Sequence, residues 1–167
     1  MLSENISSVD NQQEILSDEN LGYFLAGFVE GEGSFNISLR KNNDYKVGWQ
    51  VVPSFNVSQK DPSLLFLLKE SLHCGIIKVR KIDDVHSYDV TNPSDVLNKV
   101  IPFFHKYPLY SVSKRNNFVL FCQIANMMGK KYHLTQKGLH DILLIREKLN
   151  IGRGRKRKYG IDSVFSS

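Results

Sequence analysis

The sequence predicts an α+β domain in which antiparallel strand pairs carry helices on one face. An apolar run with helical character at residues 21–29 gives way, after Gly33, to a segment in which apolar and polar residues alternate. A second pair of strand-like segments follows another helical stretch, and the last third of the chain again has helical spacing. This order of elements is typical of helices packed on one side of an antiparallel sheet.

The first helix is predicted to begin with a cap at residues 18–20 and to end near Gly31. It is apolar almost all round, which predicts a buried helix. Gly27 shares a face with Gly31, so another backbone could approach closely there. Glu30 and Glu32 stand at the C-terminal end, where free carbonyl oxygens disfavour carboxylates. The same oxygens together with carboxylates suit a hard divalent cation.

Two strands are predicted next. In residues 34–40, Phe, Ile and Leu alternate with Asn, Ser and Arg, which is the period of a half-buried strand. Residues 42–44 predict a turn, and residues 45–58 predict a second strand with one apolar and one polar face. Pro53 within that strand predicts a bulge or an edge.

A helix is predicted over residues 61–74, where an N-cap aspartate precedes a proline. Residues 76–81 and 86–90 are predicted to form a second hairpin. Helical spacing predicts three further helices, over residues 92–107, 113–128 and 136–150.

The charge distribution favours a polyanionic partner. Five of the 17 acidic residues lie in the first 20 positions, which contain no Lys or Arg, so the remaining chain carries all 22 basic residues with 12 acidic ones and a net charge of +10. Such a body binds nucleic acid or is simply a solvated cationic surface. The Asn, Gln, Ser, Arg and Lys on the polar strand faces can bond base edges in a major groove, although such a face is also the ordinary wet side of an antiparallel sheet.

The length of 167 residues suits one folded domain. We expect a flexible acidic tail at residues 1–18, the domain at 19–152 and a basic tail at 153–167. No apolar run approaches the length of a membrane span. Cys74 and Cys122 are isolated from each other and from metal-binding spacings, which favours a reducing compartment over secretion. The acidic N-terminus does not fit a transit peptide.

The segment LAGFVEGEG at residues 25–33, followed at once by SFNISLR, resembles the motif of the LAGLIDADG homing endonucleases. The resemblance covers roughly residues 21–152. Further segments agree with the family in the same order: FNVSQK at 55–60, FHKYPL at 104–109, SKRNNF at 113–118 and the late helix at 134–142.

This resemblance implies an αββαββα core whose saddle-shaped antiparallel sheet lies in the DNA major groove. It also implies that the motif helix packs against that of a second unit. Residues 92–167 contain no second motif, so we expect a homodimer and a long pseudo-palindromic site in double-stranded DNA. The expected dimer interface comprises Leu25, Gly27, Phe28 and Gly31.

The resemblance implies three catalytic residues. Glu32, assisted by the backbone carbonyl of Gly31, is expected to bind Mg²⁺ or Mn²⁺, although most members carry Asp at this position. Gln59 is expected to orient the water or the phosphate, and Lys114 to organise solvent or stabilise charge at the phosphate. The alternatives are a surface role for Gln59 and a solvated lysine for Lys114, with Arg115 in its place.

The outward positions of the two hairpins are the expected DNA contacts: Asn36, Ser38, Arg40, Asn42, Gln50, Ser54, Asn56, Lys78 and Arg80. Ser87 and Asp89 are weaker candidates, and Glu30 is expected to support the site. The basic run at residues 153–158 is expected to add salt-dependent phosphate affinity, the alternative being a solubilising end.

The resemblance therefore implies a Mg-dependent, site-specific homing endonuclease, encoded in an intron or intein, that hydrolyses both DNA strands and leaves short 3′ overhangs. An RNA-binding maturase acting on host intron RNA and a non-catalytic DNA-binding protein are the alternatives on the same fold. The retained acid at position 32 favours catalysis. The expected location is the chloroplast or mitochondrion that encodes the protein, or a bacterial or phage cytoplasm.

Overall fold

A computed structural model describes residues 17–151 and 157–165 of the chain. The predicted acidic tail at 1–18 and the basic run at 153–158 therefore lie mostly outside the described residues. The elements follow in the order α1 (Asp18–Glu32), β1 (Gly33–Lys41), β2 (Trp49–Gln59), α2 (Ser63–Leu72), β3 (Ile76–Arg80), β4 (Val85–Val90), α3 (Pro93–Asp95), a π-helical turn (Val96–Val100), α4 (Ile101–Lys106), α5 (Val112–Gly129), a 3₁₀ turn (Tyr132–Leu134), α6 (Gln136–Glu147) and α7 (Ile161–Phe165). In the two described ranges, no helix combines the length and apolar character needed to cross a membrane.

The four strands form one antiparallel sheet in the order β1-β2-β4-β3. The pairing of β1 with β2 runs without interruption from Gly33 opposite Val57 to Lys41 opposite Trp49. The helices pack on one face of this sheet and leave the other face open. This architecture confirms the predicted α+β class and the predicted order of elements.

Phe35 lies at the centre of the core. Its ring centroid lies 5.2 to 5.5 Å from those of Phe55, Phe104, Phe118 and Phe121. These five rings join the first two strands to α4 and α5. Because side chains alternate along a strand, burying Phe35 turns the neighbouring polar residues to the opposite face.

Gly33 is the residue that lets α1 pass directly into β1. A Cβ at this position would lie 2.4 Å from the Val29 side chain and 2.8 Å from the Val29 carbonyl oxygen. The Gly33 N–H donates to that carbonyl and so caps the helix. Glu32 is therefore held at the rim of the sheet, one residue before the first strand.

The second strand differs in two respects from its prediction. It begins at Trp49 rather than at residue 45, because Tyr45 to Gly48 form a turn in which the Gly48 N–H donates to the Tyr45 carbonyl at 2.7 Å. Pro53 causes no bulge, and it lies opposite Ile37 in unbroken register. Residues 55–59 of β2 pair with β4, and Pro53 lies before them, where β2 pairs with β1 alone. Pro53 therefore lies at a locally open edge of the strand, as predicted.

The helical stretch from Pro93 to Lys106 contains a π-helical turn that was not predicted. The Ile101 N–H donates to the carbonyl of Val96, five residues back. Pro102 follows immediately, and its ring would clash with a carbonyl four residues back in a regular helix. The wider turn before Pro102 gives the ring room, so the helix continues instead of ending.

Candidate acidic site and nucleic-acid interface

Three predicted site residues lie at one end of the sheet. Glu32 is exposed at the C-terminal end of α1. Lys114, from the first turn of α5, is only 4% exposed and donates from Nζ to the carbonyl of Gly33. The alternative of a solvated lysine at this position is therefore wrong. Gly33 lies opposite Val57 in the sheet. Gln59, two residues further along β2, therefore borders the same corner.

The oxygen atoms at this corner fit a hard divalent cation. Gly31 lies in the last turn of α1, where helix carbonyls lack an intrahelical partner, next to the Glu32 carboxylate. Over residues 17–151 and 157–165, no three His, Cys, Asp or Glu side chains cluster as a complete metal site. A magnesium ion bound by one carboxylate, with water and phosphate as further ligands, needs no such cluster.

Glu30 has a structural role and joins α1 to the start of α5. Its carboxylate accepts from the Tyr110 N–H at 2.6 Å, from the Ser111 N–H at 3.2 Å and from the Ser111 hydroxyl at 2.6 Å. Partial burial raises the pKa of the Glu30 carboxyl, but these hydrogen bonds and the charge of Lys114 outweigh it. The net effect is a pKa below the ordinary 4.5. Glu30 thus stabilises the chain segment that delivers Lys114.

We expect Glu30→Gln to lower the free energy of unfolding by about 1–2 kcal/mol near neutral pH, because neutral hydrogen bonds replace the charge-assisted ones at the start of α5. Because the folded-state pKa of Glu30 is depressed, its stabilising contribution is present above pH 4.5 and disappears as the pH falls through the folded-state pKa. Urea unfolding of both proteins between pH 3 and pH 7 should show the difference shrinking in acid. An equal difference at every pH would contradict this account.

One face of α1 is open in the protomer, so the prediction of a helix buried all round is wrong. Gly27 and Gly31 are exposed, and a Cβ added to either would meet no atom within 4 Å. Phe24 on the same side is 47% exposed, and Phe28 is partly exposed. Leu25 is 0% exposed, because its side chain faces the core of its own protomer, so its assignment to a dimer interface is wrong.

The open face of the sheet carries the predicted DNA-contact residues. Pairing sets Asn36 opposite Ser54 and Arg40 opposite Gln50. Ser38, Arg40, Lys78 and Arg80 are exposed, and Asn36, Asn42, Gln50, Ser54 and Asn56 are partly exposed. These side chains form one polar surface, apart from Asn42 in the loop that follows β1.

Asn42 and Arg80 are among the side chains of this set that are engaged locally. The Asn42 side-chain oxygen accepts from the Asp44 N–H at 3.0 Å and so stabilises the turn after β1. The Arg80 guanidinium makes two hydrogen bonds to the Asp83 carboxylate, at 2.7 and 2.5 Å, across the end of the second hairpin. Both residues can reach a ligand only by exchanging or sharing these partners.

The outer edge of β1 is covered by residues that the sequence analysis did not single out. Arg146, only 4% exposed, donates from Nε to the Ile37 carbonyl at 2.8 Å. Asn150 donates from Nδ2 to the Phe35 carbonyl at the same distance. These bonds occupy carbonyls that an edge strand would otherwise offer to another chain. A signal was present, since Arg146 continues the apolar stripe of α6 at helical spacing from Leu139.

A groove of about 930 Å³ lies between the polar sheet surface and the segment after α6. Lys158 and Tyr159 line it on the C-terminal side, opposite Asn36 and Asn56. Tyr159 packs edge-on against Trp49 with ring centroids 4.9 Å apart. The described part of the predicted basic tail therefore packs against the domain at the margin of the polar surface.

The sequence matches known proteins over most of the described domain. A family model described as LAGLIDADG endonuclease matches residues 25–125. The probable intron-encoded endonuclease 3 of Neurospora crassa is 37% identical over 130 residues, covering 76% of this chain and 24% of that protein. DNA endonuclease I-CeuI of Chlamydomonas moewusii is 35% identical, over 58% of this chain and 45% of its own length. The chain thus spans less than half the length of these relatives.

Solved structures agree with the fold. The I-LtrWI LAGLIDADG homing endonuclease bound to target DNA superposes with a TM-score of 0.77 at 37% identity, over 81% of this chain and 46% of that one. The homing endonuclease I-TnaI superposes with a TM-score of 0.73 at 35% identity, over 78% of this chain and 88% of that one. The chain therefore equals about half of one such protein and most of another.

Proposed function

The chain belongs to the LAGLIDADG endonuclease family, and on this basis we propose that it is a site-specific, metal-dependent endonuclease that cuts double-stranded DNA. The observation that carries the proposal is an exposed acid, Glu32, at the end of the motif helix, beside the buried Lys114 and at the rim of a polar sheet surface. A solved relative, I-LtrWI, is bound to target DNA, which supports the same kind of partner here. Relatives named as intron-encoded endonucleases support an origin in an intron of an organellar or microbial genome.

The active assembly that we propose is a homodimer on a pseudo-palindromic site. One unit contributes one Glu32, and cutting both strands requires an acid at each scissile phosphate. The open Gly27 and Gly31 face of α1 suits close packing against its own copy about a two-fold axis. The overlap with 88% of the I-TnaI chain supports a unit of this size as a functional subunit.

In the proposed reaction, Glu32 and the Gly31 carbonyl would hold Mg²⁺ or Mn²⁺. When bound, such an ion neutralises phosphate charge and lowers the pKa of a coordinated water. Lys114 supplies positive charge beside the Glu32 corner without a large loss of side-chain freedom, because its stem is already buried. Gln59 orients the attacking water or the phosphate, and short 3′ overhangs result from the two staggered cuts.

Sequence recognition in this proposal comes from the open sheet face. A two-stranded β-ribbon fits the major groove, where Arg reads guanine and Asn or Gln reads adenine. Lys158 lies at the margin of that face. In this proposal the basic run at 153–158 neutralises phosphates and gives salt-dependent affinity.

We expect the purified protein to cut a DNA library at one sequence in the presence of Mg²⁺ and to stop cutting when EDTA removes the metal. The products should carry short 3′ overhangs, which end-sequencing of both strands determines. Cutting that persists in EDTA would contradict the metal-dependent mechanism. Tight binding to structured RNA without cutting of any DNA would favour the maturase alternative over the nuclease.

A further inference from the structure

Asp89 lies within the polar sheet surface, where a negative charge opposes DNA binding. Its carboxylate accepts from the side-chain amide of Asn56 on the neighbouring strand and from the Ser87 hydroxyl at 3.2 Å. Lys78 lies 3.5 Å from the same carboxylate and completes the group. The side chain of Asp89 is 18% exposed, so it is held within the surface rather than extended into solvent.

An ionised carboxylate only accepts hydrogen bonds, so its partner on Asn56 must be the Nδ2 group and never the oxygen. The opposite amide orientation would set two acceptors against each other. The Asn56 oxygen also accepts from the Ser58 hydroxyl at 3.4 Å, which leaves its second lone pair available. Among residues 17–151 and 157–165, no other group occupies the second Asn56 N–H or its second acceptor position, so the amide presents both in a fixed arrangement.

We propose that Asp89 is a positioning residue for base recognition, which fixes the Asn56 amide in the orientation that reads one adenine in the major groove. Adenine offers N7 as an acceptor and N6–H as a donor, the complement of what Asn56 presents. A flipped amide would set its oxygen against N7 and lose the pairing. The inference rests on the proposed DNA-binding function and adds a specificity role to an acid that opposes overall affinity.

Sites selected by binding from a randomised DNA library in EDTA test the proposal. We expect wild type to enrich adenine, by roughly 5- to 150-fold, at one position per half-site that Asn56→Ala no longer enriches. Asp89→Asn should reduce that preference to below about twofold, because an amide at position 89 can donate or accept and so no longer fixes Asn56. Its affinity for bulk DNA should rise about two- to fivefold at low salt, the scale of one surface charge.

Asp89→Glu separates orientation from charge. It keeps the charge but moves the carboxylate, so it should lose the adenine preference without a gain in affinity. Glu70→Gln, an equal change of charge on the exposed helix surface, should leave the preference intact. The double variant Asn56→Ala, Asp89→Asn should lose no more of the adenine preference than Asn56→Ala alone.

Several results would overturn the proposal while leaving the nuclease function standing. These are an adenine preference retained in Asp89→Asn, a uniform loss of preference at every position, and no position at which Asn56→Ala differs from wild type. If wild type enriches no sequence, the proposed site-specific function fails, and this inference fails with it.

Discussion

Glu32→Gln is expected to lower the rate of DNA cleavage by on the order of 10³-fold or more, while leaving DNA binding unchanged. This fall in cleavage rate should be larger than that caused by removing a single hydrogen-bond donor from an active site. The substitution removes the one protein carboxylate that we propose holds the metal ion. The polar sheet surface is untouched, so the target site selected by binding should stay the same. Single-turnover cleavage and equilibrium binding of one target duplex measure the two effects separately.

The same substitution should slightly raise the melting temperature. A negative charge at the C-terminal end of a helix is opposed by the free carbonyls and the helix dipole, and Glu32 is exposed at such an end. A gain in stability with a loss of activity is typical of a residue kept for function. Glu30→Gln, two positions earlier, makes the same change of charge and should instead lower stability and retain cleavage. Cleavage that survives Glu32→Gln would refute the assignment of Glu32 as the metal ligand.

The buried and exposed faces of the first strand were predicted correctly from the local periodicity of the sequence. The alternation around Phe35 correctly identified the buried and open faces of β1, because a strand has only two faces. The helix break at Gly33 was also predicted, and the clash of any side chain there with Val29 explains it.

Contacts between distant segments could not be read from the sequence. Glu30 reaches Ser111, and Lys114 reaches Gly33, each across 81 residues of chain. Such contacts depend on how α5 docks beside the motif helix, which periodicity does not specify. For this reason the sequence leaves a solvated surface lysine open as an alternative for Lys114, whereas the structure buries this residue.

The sequence pattern also does not specify which part of α1 is covered by its own protomer. A helix that is apolar all round is predicted to be buried, but the pattern does not say whether the covering surface comes from the same protomer. Leu25 and Val29 are covered by their own core, whereas Phe24 and Gly27 on the other side are not. A second motif helix is the covering surface that we propose.

Gly27→Leu is expected to convert the protein from a dimer to a monomer and to abolish cutting of both strands. A side chain at this position meets nothing within 4 Å among the described residues of the protomer. Glycine is less favourable than alanine in a helix interior by about 0.8–1 kcal/mol, and leucine is nearly as favourable as alanine. The isolated protomer should therefore become more stable. In the proposed dimer interface, glycine allows the two α1 helices to approach closely. The leucine side chain would hold these helices apart. Sedimentation with and without DNA measures the association.

Two matched variants distinguish a blocked interface from a damaged fold. Gly160→Leu makes the same substitution at another position where an added Cβ meets nothing, so it should leave both association and melting temperature near those of wild type. Gly22→Ala, on the motif helix, would bring a Cβ within 2.1 Å of the Tyr107 ring, so it should lower the melting temperature. A more stable protomer that no longer associates is the result that only an interface role for Gly27 explains. A Gly27→Leu protein that still sediments as a dimer would exclude this face of α1 as the dimer interface.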